Sequence, residues 1–214
     1  MIKHILVAIA LLCSAPAAQA MPLQNMEDYL LHMATTIDDG KSKAVYTTAL
    51  EALQRGETDH PAFVAAMNEL KQQNSIRRVL LDLESITAAY SLFALETRTD
   101  TQNITDLIVD PHLAGWNGPY VEQQAPLGGE FGLYDIFFAP FTPAGVPSPM
   151  ACIEGMPCLV WLRLTDVPTW VSEEVELMLD TRAGVSGDTG LWRYGPVRNG
   201  LQDGYYTLAE VLNR

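Results

Sequence analysis

Apolar residues recur at three-and-four spacing through the first half of the chain and gather in short β-branched and aromatic runs through the second, so the two halves ask for different secondary structure. Over 25–73 the pattern is helical. Met26, Tyr29, Leu30, Met33 and Ile37 share one face behind a possible Asn25 cap, until Asp38-Asp39-Gly40 breaks the run. A second segment starts near Ser42, sets Val45, Ala49, Leu50 and Leu53 along one side and stops at Gly56. Asp59 is the cap expected for a third, with Pro61 in its first turn and Phe63, Val64, Met67 and Leu70 facing inward. The longest helix is predicted over 75–95: Ile76, Val79, Leu80, Leu83, Ile86, Tyr90 and Phe93 form its stripe, and Arg78 and Asp82 are placed to pair outside it.

A polar stretch over 97–103 ends that helix, and Gly, Pro and aromatic residues then punctuate the runs 132–138, 158–164, 190–194 and 204–208. These read as strands of an antiparallel sheet. Between them 169–180 sets Glu173, Glu174 and Glu176 beside Val171, Val175, Leu177 and Leu179, the pattern of a short surface helix. A long helix followed by a group of strands is the α+β order, in which the sheet lies across one face of the helix.

The N-terminus changes the picture of where this domain works. Lys3 and His4, an apolar run over 5–13 and a small-residue tail closing in Ala18-Gln19-Ala20 read as a secretory signal cut after Ala20. The run falls short of the roughly 20 residues a spanning helix needs, and no later stretch is long enough, so no membrane span is expected after cleavage. Cys13 is preceded by Leu12, where an acylated cysteine would follow a small residue, and it is expected to leave with the signal. The predicted organisation is a signal over 1–20, a helical appendage over 21–73 and an α+β domain over 74–214, acting in the periplasm or beyond.

Composition narrows the partners. With a formal net charge of -13 and scattered Lys and Arg, the chain lacks the basic cluster whose counterion release drives nucleic-acid binding, and it has no attraction to anionic lipid. Basic protein surfaces and divalent cations remain. Cys152 and Cys158 flank a five-residue stretch, and in an oxidising compartment that spacing favours a disulfide across a hairpin, worth about 2 kcal/mol for so short a ring. His32, His60 and His112 are isolated and carry no zinc-site spacing.

One motif is more specific. Gly115-Trp116-Asn117-Gly118-Pro119-Tyr120 follows the long helix. It resembles the Gly-Trp-x-Gly-Pro-Tyr loop of type II secretion major pseudopilins and related minor pilins. The segment 83–90 resembles the exposed half of the pilin helix, and 162–168 leading to Leu179-Asp180 resembles the strand, Val-Pro turn and acidic helix end of many pilin-like proteins; the likeness covers roughly 75–208. It implies a pilin-like fold, a protein partner in the secretion or pilus machinery and no catalysis. The departure is at the start: the family's short leader and apolar Phe-Thr-Leu-Ile-Glu helix are missing, and 25–73 stands in their place, so entry into a filament through the usual helical core is not expected. Physically, the two glycines permit a tight turn and Trp116 and Tyr120 anchor the loop.

Catalytic chemistry leaves less trace. There is no Gly-x-Ser-x-Gly elbow and no Cys-His pair in a sensible context, and Glu173 and Glu174 point apart on a helix. Gly128-Gly129 without a phosphate-loop lysine reads as a turn. Asp180 and Asp188, with Gly184 and Gly187 between them, offer hard oxygen donors that resemble the calcium loop of major pseudopilins, although the spacing is not that of an EF-hand, the acids are few, and a plain solvated turn is the preferred reading. Trp161, Trp170 and Trp192 serve either as core anchors or as part of a docking patch. The expectation is therefore a soluble exported accessory that acts by protein binding. A small secreted hydrolase or carbohydrate-binding module is the alternative, and a chaperone-like binder using a groove within 26–70 is a third reading.

Overall fold

In the computed structural model the described residues are 23–37, 40–122, 127–141, 145–147, 152, 157–180 and 191–211. The chain divides into two compact units, with the boundary between Gln73 and Asn74.

The first unit holds helices α1 (Leu23–Thr36) and α2 (Gly40–Gln54) and the opening turns of α3 (Pro61–Thr97). Tyr29, Leu30 and Met33 of α1 meet Tyr46, Ala49 and Ala52 of α2 and Phe63, Ala66 and Leu70 of α3 in one apolar cluster. Helix α1 begins two residues before the expected Asn25 cap. On α2, Ala49, Leu50 and Leu53 pack inward as expected, but Val45 is exposed and its neighbour Tyr46 is fully buried in its place, edge-on to Tyr29 with ring centroids 6.3 Å apart. A tyrosine ring removes more area from water than a valine, and the small Ala49 and Ala52 let the helices close around it. His60, not Asp59, caps α3, its Nδ1 accepting from the Ala62 N–H at 3.2 Å. Val64 is likewise exposed, not inward.

Helix α3 runs through the position where two separate helices were expected, because 71–75 contains no glycine or proline to break the hydrogen-bond ladder. Ser75, taken as a start, instead donates its hydroxyl to Glu130 at 2.6 Å.

The second unit is α+β. The rest of α3 packs on a four-stranded antiparallel sheet of β1 (Tyr134–Pro140), β2 (Cys158–Pro168), β3 (Trp192–Tyr194) and β4 (Leu201–Glu210), in the order β1-β2-β4-β3. Register pairs Ile136 with Leu162, and Leu162 and Trp192 with Tyr206. Val79, Leu83, Ile86 and Phe93 of α3 bury against Ile136, Val160, Leu162 and Leu164. Helix α4 (Thr169–Asp180) has the predicted bounds and sets Val171 and Val175 into the same core. The described helices include none long and apolar enough to cross a membrane.

Two local expectations change. Arg78 and Asp82 do not pair: Arg78 lies 3.9 Å from Glu130, and Asp82 accepts the Tyr134 hydroxyl at 3.0 Å. The Val167-Pro168 turn is not a turn but the end of β2 beyond a bulge, where Asp166 takes φ +56° and pairing resumes with Val167 opposite Gln202. The 158–164 run is apolar on both faces because both are covered: Val160 and Leu162 face α3, while Leu159 and Trp161 join Phe137, Ala139 and Tyr205 on the opposite side. There the Arg193 guanidinium sits 4.9 Å from the Trp161 ring centroid and donates to the Gly145 carbonyl at 2.9 Å.

Candidate functional site

The loop after α3 is built onto the helix end group by group. Thr97 donates its hydroxyl back to the Phe93 carbonyl at 2.7 Å, and Arg98 at φ +54° turns the chain out of the helix. Asp100 accepts the Tyr90 hydroxyl at 3.0 Å. Asn103 caps a 3-10 helix, Ile104–Leu107, by accepting from the Thr105 N–H at 3.1 Å, and buries Ile104 and Leu107 beneath it. Asp106 is held by the Thr101 hydroxyl at 2.5 Å and the Asn103 amide at 2.8 Å.

The Gly-Trp-Asn-Gly-Pro-Tyr segment closes on this frame. Trp116 donates its indole N–H to the Asp106 carbonyl at 3.0 Å, and the Tyr120 N–H donates to the Leu107 carbonyl at 2.8 Å. Tyr120 in turn donates its hydroxyl to Glu96 at 2.7 Å and accepts from the Asn117 N–H at 3.0 Å. Burial, and then that Glu96 carboxylate, hold the Tyr120 phenol above its usual range. Its ring lies edge-on to Phe93 at 6.0 Å and to Trp116 at 5.7 Å. Both glycines are required. Gly115 has φ +87°, and a Cβ there would collide with the Glu96 carbonyl oxygen; a Cβ on Gly118 would enter the Trp116 ring. Pro119 follows through a cis peptide bond. All five motif residues named from the sequence thus meet at one joint.

The other candidate residues lie elsewhere. Cys152 and Cys158 form a disulfide with Cα atoms 5.7 Å apart, and Cys158 opens β2, its carbonyl accepting from the Val211 N–H at 2.9 Å. Asp180 ends α4, buried, and accepts from the Leu191 N–H at 2.9 Å; burial pushes its carboxyl upward. Asp188, its expected calcium partner, lies outside the described residues, as do Gly184 and Gly187. Among the described residues no group of three or more His, Cys, Asp or Glu is placed to hold a metal ion. Of the three tryptophans left open, Trp161 and Trp192 are fully buried, and Trp170 is partly buried, edge-on to Phe131.

Sequence reasoning missed the exposed aliphatic residues around the joint. Leu92 and Leu95 face solvent on the last turns of α3, and Val109 and Leu113 do so in the loop. The signal was present in Leu92 and Leu95, three residues apart and off the Ile76-to-Phe93 stripe. Comparisons with family models, with curated proteins and with solved structures find no match to this chain.

Proposed function

We propose that this chain is an exported, soluble accessory of pilin-like build that acts by binding a protein partner of a type II secretion or type IV pilus system, in or beyond the periplasm, without catalysing a reaction. The observation that carries this reading is the joint itself. The loop in which Trp116 and Tyr120 are tied to Asp106 and Glu96 links a long helix to an antiparallel sheet laid across it, the order in which pilin-like domains place their signature. A loop so fully engaged in its own framework is suited to present a fixed surface.

Co-purification of the tagged protein from cell-envelope extract tests the reading. Recovery of a pilin, pseudopilin or secretion-channel component is expected; recovery of none across repeated preparations would overturn it.

A further inference from the structure

The joint presents two features to solvent besides its internal bonding. The first is apolar: Leu92 is 49% exposed, Leu95 74%, Val109 55% and Leu113 40%. They come to one end of the second unit because Leu92 and Leu95 share a helix face and the turn closed by the Trp116 N–H and the Leu113 carbonyl sets Gly115 on the backbone of Glu96. The second is charge. The stretch 95–122 carries Glu96, Asp100, Asp106, Asp110 and Glu122 against a single cation, Arg98. Glu96 is held by a tyrosine hydroxyl, Asp106 by a threonine hydroxyl and an asparagine amide, and Asp110 by the His112 N–H at 2.7 Å. Neutral donors fix a carboxylate in place without cancelling its field. Among the described residues the ion pair found for these three is His112 with Asp110, 3.8 Å apart at an exposed site.

We propose that the end of α3 and the loop behind it form a docking surface for a partner segment that presents lysine or arginine beside aliphatic side chains. This deepens the docking role proposed above and rests on it. A second copy of this chain brings the same acidic rim and is repelled, as are anionic lipid and nucleic acid. A patch of four aliphatic side chains with a charged rim belongs to the small, transient class of interfaces, in which electrostatics sets the rate of encounter and apolar contact the lifetime.

The test uses the full protein, isotope-labelled, titrated with three synthetic helical peptides of leucine and lysine, leucine and glutamate, and serine and lysine. The leucine-lysine peptide is expected to shift amide resonances around 92–113, to lose affinity with added salt, and to bind Leu95→Ser/Leu113→Ser at least about tenfold more weakly. Asp110→Lys, which leaves every apolar residue in place, is expected to weaken the same peptide if the double variant fails to fold. Equal binding of the leucine-glutamate peptide, shifts elsewhere on the protein, or unchanged affinity in both variants would overturn the surface. If the double variant still co-purifies with a secretion component as the parent does, the surface is wrong and the docking role stands. If the peptide maps to the joint while envelope extract yields no such component, the surface stands and the assignment to that machinery fails.

Discussion

The helix-sheet core and the joint beside it belong to the same unit but are held together in different ways. In the core, Leu83 and Ile86 meet Ile136 and Leu162 through shape and apolar area alone, so volume is what matters. In the joint, single hydrogen bonds and two missing Cβ atoms decide the geometry: Gly115 rests against the Glu96 carbonyl, and Trp116 and Tyr120 each reach one specific acceptor. The difference teaches that the core should tolerate a conservative swap that keeps its volume, whereas the joint should fail on the addition of one methyl group.

The largest effect is expected from emptying the core. Leu162→Ala, at 1% exposure, should cost about 2–5 kcal/mol in urea-induced unfolding, while Leu162→Met should cost less than about 1.5 kcal/mol. At the joint, Gly115→Ala should cost more than Gly200→Ala. Both residues have positive φ, +87° and +79°, but only at Gly115 does the added carbon meet backbone, so the strain of about 1–2 kcal/mol common to both is exceeded there. Equal losses would make backbone conformation, and not the contact with Glu96, the reason for that glycine. Next, Trp116→Phe keeps an aromatic six-membered ring but removes the pyrrole part of the indole together with its donor to the Asp106 carbonyl, and should cost at least about 1 kcal/mol.

The smallest effect is in pH dependence. Burial raises the Asp82 carboxyl, outweighing the Tyr134 hydrogen bond and the Arg78 charge, which lower it. A carboxyl with a raised folded-state value binds its proton more tightly when folded. Its contribution is therefore fully present below the unfolded carboxylate range and is lost as pH rises through the folded value. Asp82→Asn should flatten that part of the stability-pH profile in denaturant titrations run from acid to neutral pH; a steeper fall in the variant would contradict the assignment.

Much of this arrangement can be read from the residues, for identifiable reasons. Strand-forming runs between Gly and Pro mark all four strands, and the alternation of Val171 and Val175 with glutamates marks α4 to its ends. The joint is legible because a tryptophan between two glycines is hard to place anywhere but in an anchored turn. What is not legible depends on partners distant in sequence. Tyr46 is buried because Tyr29 faces it, and the bulge at Asp166 is set by pairing with β4. The doubly apolar stretch of β2 looks like any buried strand until Arg193 and Gly145 are seen over Trp161. Leu92 and Leu95 fall off the buried stripe, which marks their face as outward, but spacing alone does not say whether another element covers that face.

The central claim is that the joint is a built, rigid platform, and amide hydrogen exchange of the free protein tests it most directly. The Tyr120 and Val121 amides, which donate to the Leu107 carbonyl at 2.8 and 3.3 Å, should exchange as slowly as amides in the middle of β2 and β4. Exchange there at the rate of the exposed Asn199-Gly200 turn would contradict it.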